Sequence, residues 1–139
     1  MTDFNGRFKK NFDLKKVYLD FFQKTRYNRI RYNRIMKEKS EKIYTIEELR
    51  EKLTPVFDRA PVYRAVVFGS YMNGNADAES DVDIIIDSKN ELTGFNFFGV
   101  MGSAEDIIGK RVDMYDVREI KSESPIFKFI QEGIVIYER

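Results

Sequence analysis

At 139 residues, 42% hydrophobic and 34% charged, the chain fits one globular domain with a short appendage; it is too apolar for a disordered chain and too charged for a membrane protein. It contains no Cys and no His, which excludes zinc sites of the usual Cys/His kind, cysteine nucleophiles, Ser-His-Asp triads and imidazole acid–base catalysis. A metal would then be held by oxygen, which points to Mg²⁺ or Mn²⁺, and a general base would be Asp, Glu, Lys or Tyr.

Charge divides the chain in two. Residues 1–42 carry 13 Lys/Arg against 5 Asp/Glu, a net of +8, and residues 43–139 carry 11 against 18, a net of −7. A basic helical extension over 1–42 followed by an acidic body over 43–139 is the expected domain division. Met1–Lys10 has no apolar core of a signal peptide, and no apolar run approaches a membrane span, so a cytoplasmic protein without membrane contact is expected.

In chain order, Asp13–Gln23 predicts a helix, with Leu14, Val17, Tyr18 and Phe21 on one face. Arg26–Ile30 and Arg31–Ile35 repeat the same five residues, Arg-Tyr-Asn-Arg-Ile. The mixture of Arg and Tyr occurs in nucleic-acid binders, but a solvated arm or one docked on a partner is the better reading, because nothing in it specifies base readout. Lys37–Lys42 is a charged connector.

Thr45 and Glu48 form a capping box, and Ile46, Leu49, Leu53 and Phe57 then face one way, until Pro55 kinks or ends the helix. Val62–Phe68 is a strand stopped by Gly69 and Ser70. Ser70–Gly74 is a short helical turn, Asn75–Ser80 a polar loop and Val82–Asp87 a second strand. Leu92–Ile108 has near-helical apolar spacing, weakened by Gly94, Gly99 and Gly102. Phe95, Phe97 and Phe98 read as core packing, and Tyr71 as a surface aromatic on its short helix. Arg111–Asp116 is a third strand. Ser124 and Pro125 begin a helix that runs through Ile126–Glu132 to Gly133, and Ile134–Tyr137 is a last strand. The alternation predicts an α/β (α+β) domain, a small mixed sheet with helices packed on it.

The chemistry lies in Gly69-Ser70, ten residues, then Asp81-Val82-Asp83. Gly69 lets the backbone turn sharply and lie close to a ligand, and Ser70 offers a hydroxyl and an amide where a phosphate can be held. Asp81 and Asp83 are two apart, so both carboxylates share a face and Val82 points to the core. Two such carboxylates repel unless a cation lies between them. In Arg111–Tyr115, Asp113 points opposite to Val112 and Met114. If this strand lies beside Val82–Asp87, three carboxylates converge as ligands for one or two Mg²⁺ ions, with Asp113 the candidate base or the ligand of the activating metal.

Gly-Ser, ten residues, Asp-x-Asp and a later strand aspartate resemble the polymerase-beta-type nucleotidyltransferase superfamily, and more narrowly its minimal nucleotidyltransferases, the MNT group. The likeness spans about Tyr44 to Arg139. It implies the polymerase-beta-type fold and a small core using ATP and Mg²⁺. Gly69 and Ser70 match the nucleotide-binding pair, Asp81 and Asp83 the metal-binding pair, and Asp113 the third acid. MNT proteins are often antitoxins that transfer AMP to a tyrosine of a HEPN-type ribonuclease toxin, so a hetero-oligomer with such a toxin is the implied partner state. One departure is visible: Met72-Asn73-Gly74 stands where the family commonly has Ala-Arg-Gly, so a basic residue near the phosphates is missing. Two alternatives stay open, a binding antitoxin whose inherited site is idle and a nucleotidyltransferase acting on small molecules such as antibiotics.

Overall fold

The computed structural model describes residues 40–139. The expected helix over 13–23 and the repeated pentapeptides at 26–35 lie outside the described residues. Within them, the elements are α1 (Ile46–Asp58), β1 (Arg64–Phe68), α2 (Ser70–Asn73), β2 (Val82–Asp87), α3 (Phe95–Ile108), β3 (Val112–Asp116), a 3₁₀ turn (Val117–Glu119), α4 (Phe129–Glu132) and β4 (Ile134–Glu138). The four strands form one mixed sheet in the order β3-β2-β1-β4. β1 pairs antiparallel with β2 and with β4, and β2 pairs parallel with β3. The parallel pair is joined by α3, as a crossover between parallel neighbours requires.

α1 begins as its sequence dictates. The Thr45 hydroxyl accepts from the Glu48 amide at 3.1 Å and the Glu48 carboxylate accepts from the Thr45 amide at 2.8 Å, so two orphan donors are satisfied reciprocally. Pro55 does not end the helix, which continues to Asp58. Leu53 and Phe57 are both fully buried on either side of it, and their packing holds the turn that proline weakens. The end is set instead where apolar periodicity stops.

The sheet has two covered faces. Alternation puts Ala65, Val67, Ile84 and Ile86 on one face, all buried. α1 packs on α3 and β4, and α3 packs on β3. Fully burying Leu49, Leu53 and Phe57 contributes about 1.5–3 kcal/mol each. The other face carries Val66, Phe68 and Ile85, joined by Ile120 and packed against Ile126, Phe129 and Ile130. The Phe68 and Phe129 rings stack at 5.3 Å.

Several local expectations need correction. The segment after Pro125 is not one regular helix. Hydrogen bonds from Phe127 to Ser124, Phe129 to Ile126 and Ile130 to Phe127 make it a run of tight turns, and only Phe129–Glu132 is α-helical. Three-residue spacing lets Ile126, Phe129 and Ile130 press on the sheet within a short span. β1 starts two residues late, although Tyr63 already donates to Asp87. Phe97 and Phe98 are buried as expected, but Phe95, in the first turn of α3, is 68% exposed. Gly99 and Gly102 do not break α3, and Gly102 is buried inside it.

Candidate active site

β1 ends at Phe68, and the chain reverses at Gly69 into the single turn of α2. Gly69 has φ 70° and ψ −143°, a region essentially restricted to glycine. A second constraint acts at the same atom. A Cβ there would stand 3.2 Å from Asp83 Cγ and closer still to Asp83 Oδ2. Thus the Gly-Ser bend lies directly against the Asp83 carboxylate, and no side chain fits between them.

Asp83 pairs across the sheet with Phe68 on β1 and with Asp113 on β3. Asp83 and Asp113 are therefore side by side on adjacent parallel strands, about 4.8 Å apart in backbone spacing. Asp81 stands immediately before β2, two residues from Asp83. The three acids are all half-buried, whereas Val82, Ile84, Val112 and Met114 between them are buried. None of the acids turns to the interior. The expected adjacency of the third strand holds, because Val82 to Ile86 pairs with Val112 to Asp116 in unbroken register.

The loop that delivers Asp81 is tied to itself. The Asp77 amide donates to Ser80 Oγ at 2.9 Å, and the Glu79 amide donates to Asp77 Oδ1 at 2.8 Å. Lys110, fully buried, reaches under this loop and donates to Ala78 O at 3.0 Å. Arg111 precedes β3 with its carbonyl accepting from the Val82 amide at 2.9 Å, so it sits beside Asp81 at the open end of the sheet. Its side chain is exposed.

Asp77, Ser80 and Lys110 escaped the sequence reading. The Asp-x-x-Ser spacing is a turn signal that could have found the first two. Lys110 had no signal, since a lysine before a strand is ordinarily solvated. Tyr71 also needs correction. It is 6% exposed and not a surface aromatic, and its hydroxyl has no hydrogen-bond partner among the described residues. Burial pushes its phenol up, partly opposed by the Tyr44 backbone N–H, which lies near the hydroxyl without closing a hydrogen bond of normal geometry.

Two carboxylates side by side, with a third two residues away, suit a hard cation. Among the described residues, no group of three acidic side chains stands ready to hold a metal ion, so the expected convergence of three carboxylates is not seen. The sheet brings Asp83 and Asp113 side by side, with Asp81 two residues from Asp83.

Residues 51–139 match the family described as Polymerase beta, Nucleotidyltransferase. The chain belongs to this nucleotidyltransferase family. Among its relatives, the protein adenylyltransferase MntA of Thermococcus cleftensis is 34% identical over 82 residues, 56% of this chain and 83% of that protein. Two solved structures share the fold. One is a crystal structure of a toxin–antitoxin with AMP-PNP, with TM-score 0.54 and 19% identity over 65% of this chain and 73% of that one. The other is a mutant of the toxin–antitoxin MntA–HpeT, with TM-score 0.52 and 16% identity over the same shares. For a nucleotidyltransferase, the mixed sheet and its flanking helices are the expected frame. Among the described residues, no helix is long and apolar enough to cross a membrane.

Proposed function

We propose that this nucleotidyltransferase is a cytoplasmic protein adenylyltransferase. It moves AMP from ATP to a tyrosine hydroxyl of a HEPN-type toxin and so silences it. The observation that carries the proposal is the pairing of Asp83 with Asp113 beside a Gly69 bend that packs on Asp83. The adenylyltransferase MntA among its relatives and the toxin–antitoxin structures that share its fold support the reaction class and the kind of partner.

In this reading the Gly69–Ser70 amides and the Ser70 hydroxyl hold the β- and γ-phosphates. Asp81, Asp83 and Asp113 hold Mg²⁺ (Mn²⁺ as the alternative). When bound, the ion neutralises charge on the triphosphate and lowers the pKa of the attacking hydroxyl. The acceptor oxygen bonds to the α-phosphorus, the bond from the α-phosphorus to the bridging oxygen breaks, and pyrophosphate leaves. Asp113 takes the hydroxyl proton. Gly69 lets the bend lie against the Asp83 carboxylate, which with Asp81 and Asp113 would hold the ion beside the phosphates.

The test is transfer of radiolabel from α-labelled ATP to a purified HEPN-type toxin supplied as the acceptor. Asp81→Asn with Asp83→Asn is expected to abolish labelling and leave thermal unfolding unchanged; undiminished labelling by that double variant removes the mechanism. A second reading has one observation in its favour, the Met72-Asn73-Gly74 segment without its basic residue. There the protein neutralises the toxin by occupying its surface, and the double variant protects cells in full.

A further inference from the structure

The turn from α3 into β3 holds a neighbouring segment at each of four successive residues. Ile108 O accepts from the Tyr44 hydroxyl at 2.6 Å, and Gly109 O accepts from the Ser40 amide at 2.8 Å. The Lys110 amine donates to Ala78 O at 3.0 Å, and Arg111 O accepts from the Val82 amide at 2.9 Å. Gly109 ends α3 at φ 67°, in the left-handed conformation, and the chain passes straight into Lys110.

Lys110 is the unusual member of this row. It is fully buried, whereas lysine amines ordinarily stay in water, because burying one is costly unless it is hydrogen-bonded. A methionine would fill much the same space without that cost. What the amine holds is the middle of the loop that leads to Asp81. Asn75 donates to Ser70 O at 3.0 Å where that loop begins, and Val82 is held by Arg111 where it ends. Between them, the bonds from Asp77 to Ser80, from Glu79 to Asp77 and from Ser80 to Asp77 are local. They fix the shape of the loop but not its place against the sheet. The bond from Lys110 to Ala78 ties that shape to the residues entering β3.

Asp81 depends on this tie more than the other two acids do. Asp83 and Asp113 are set by the pairing of β2 with β3. Asp81 lies before β2 and follows Ala78 by three residues. We infer that Lys110 is a positioning residue for nucleotidyl transfer: its amine, acting through Ala78, sets where Asp81 stands beside Asp83 and Asp113. This rests on the transfer reaction proposed above. A misplacement of about 1 Å at a reacting centre costs about 10²-fold in rate.

Lys110→Met removes the amine and keeps most of the apolar stem. Labelling of a purified HEPN-type toxin from α-labelled ATP is measured beside amide hydrogen exchange, read by NMR. The expected kcat is about 10²-fold lower, with KM for ATP changed by less than about threefold. The Asp77, Glu79 and Ser80 amides should exchange about tenfold faster, with the amides of β1 to β4 unchanged. Rescue completes the test. The chain has no cysteine, so Lys110→Cys supplies a single thiol. Alkylation with 2-bromoethylamine in denaturant, followed by refolding, rebuilds a lysine analogue and should restore both kcat and loop protection. The same thiol propylated should restore neither. An unchanged kcat in Lys110→Met overturns the assignment, and so does a lower kcat with unchanged loop exchange. A methionine variant that does not fold makes Lys110 a residue of stability and also overturns it. Wild-type protein that labels no toxin removes the transfer reading and Lys110's part in it, even where the exchange data show the loop held by the amine.

Discussion

The two faces of the sheet do opposite work. Under α1 and α3, Ala65, Val67, Ile84 and Ile86 are fully buried. On the other face, the apolar cover from Ile126, Phe129 and Ile130 stops short, and the acids remain half-buried. One strand serves both: β2 gives its Ile84 and Ile86 side to the core and its Asp83 side to the site. The contrast teaches that stability and chemistry are separable here by strand parity, and substitutions can test the separation.

The largest effect is expected on the acid face. Asp113→Asn should slow AMP transfer by about 10²–10⁴-fold through loss of the base, with the unfolding temperature nearly unchanged. A variant that unfolds, or one that transfers normally, would break the contrast. On the other face Leu53→Ala should remove about 2–5 kcal/mol of stability, read by urea unfolding, while any protein that remains folded keeps its affinity for ATP.

Gly69→Ala touches both properties because the bend joins β1 to the site. Its backbone conformation costs an alanine about 1–3 kcal/mol, and the added Cβ displaces the Asp83 carboxylate. Transfer should fall about 10²-fold along with a lower unfolding temperature. Thr45→Ala removes one half of the capping box and should cost about 1 kcal/mol with no change in transfer.

Tyr71→Phe is the smallest and sharpest case. It deletes a buried hydroxyl that has no partner among the described residues, so stability should hold or rise by under about 1 kcal/mol. It should also change the alkaline limb. The folded phenol titrates above its unfolded value because burial disfavours the phenolate. The neutral group's contribution is therefore whole below about pH 10 and is lost as pH rises past the unfolded value toward the folded one. Melting curves from pH 8 to 11 should show a shallower decline for the phenylalanine variant.

Much of this was written in local pattern. The capping box, the Gly-Ser stop after β1 and the alternation of Asp83 with Ile84 and Ile86 rest on neighbours in the chain, and each stands where the pattern put it. Pro55 and Phe95 went otherwise. Pro55 is overridden by the burial of Leu53 and Phe57, contacts from distant elements that no local rule contains. Phe95 shares the helical spacing of Phe98, yet lies in the first turn of α3, where the helix no longer covers it.

By itself the sequence determined which side of each strand the acids occupy, because a period of two is a property of the extended backbone. It could not determine which strands are neighbours. Only the tertiary structure decided that β3 lies parallel to β2 with Asp113 opposite Asp83, and that Lys110 is buried beneath the Asp81 loop. Those facts depend on pairings between residues far apart in the chain, where the free energy resides in shared burial and hydrogen bonding and leaves no mark in either segment alone.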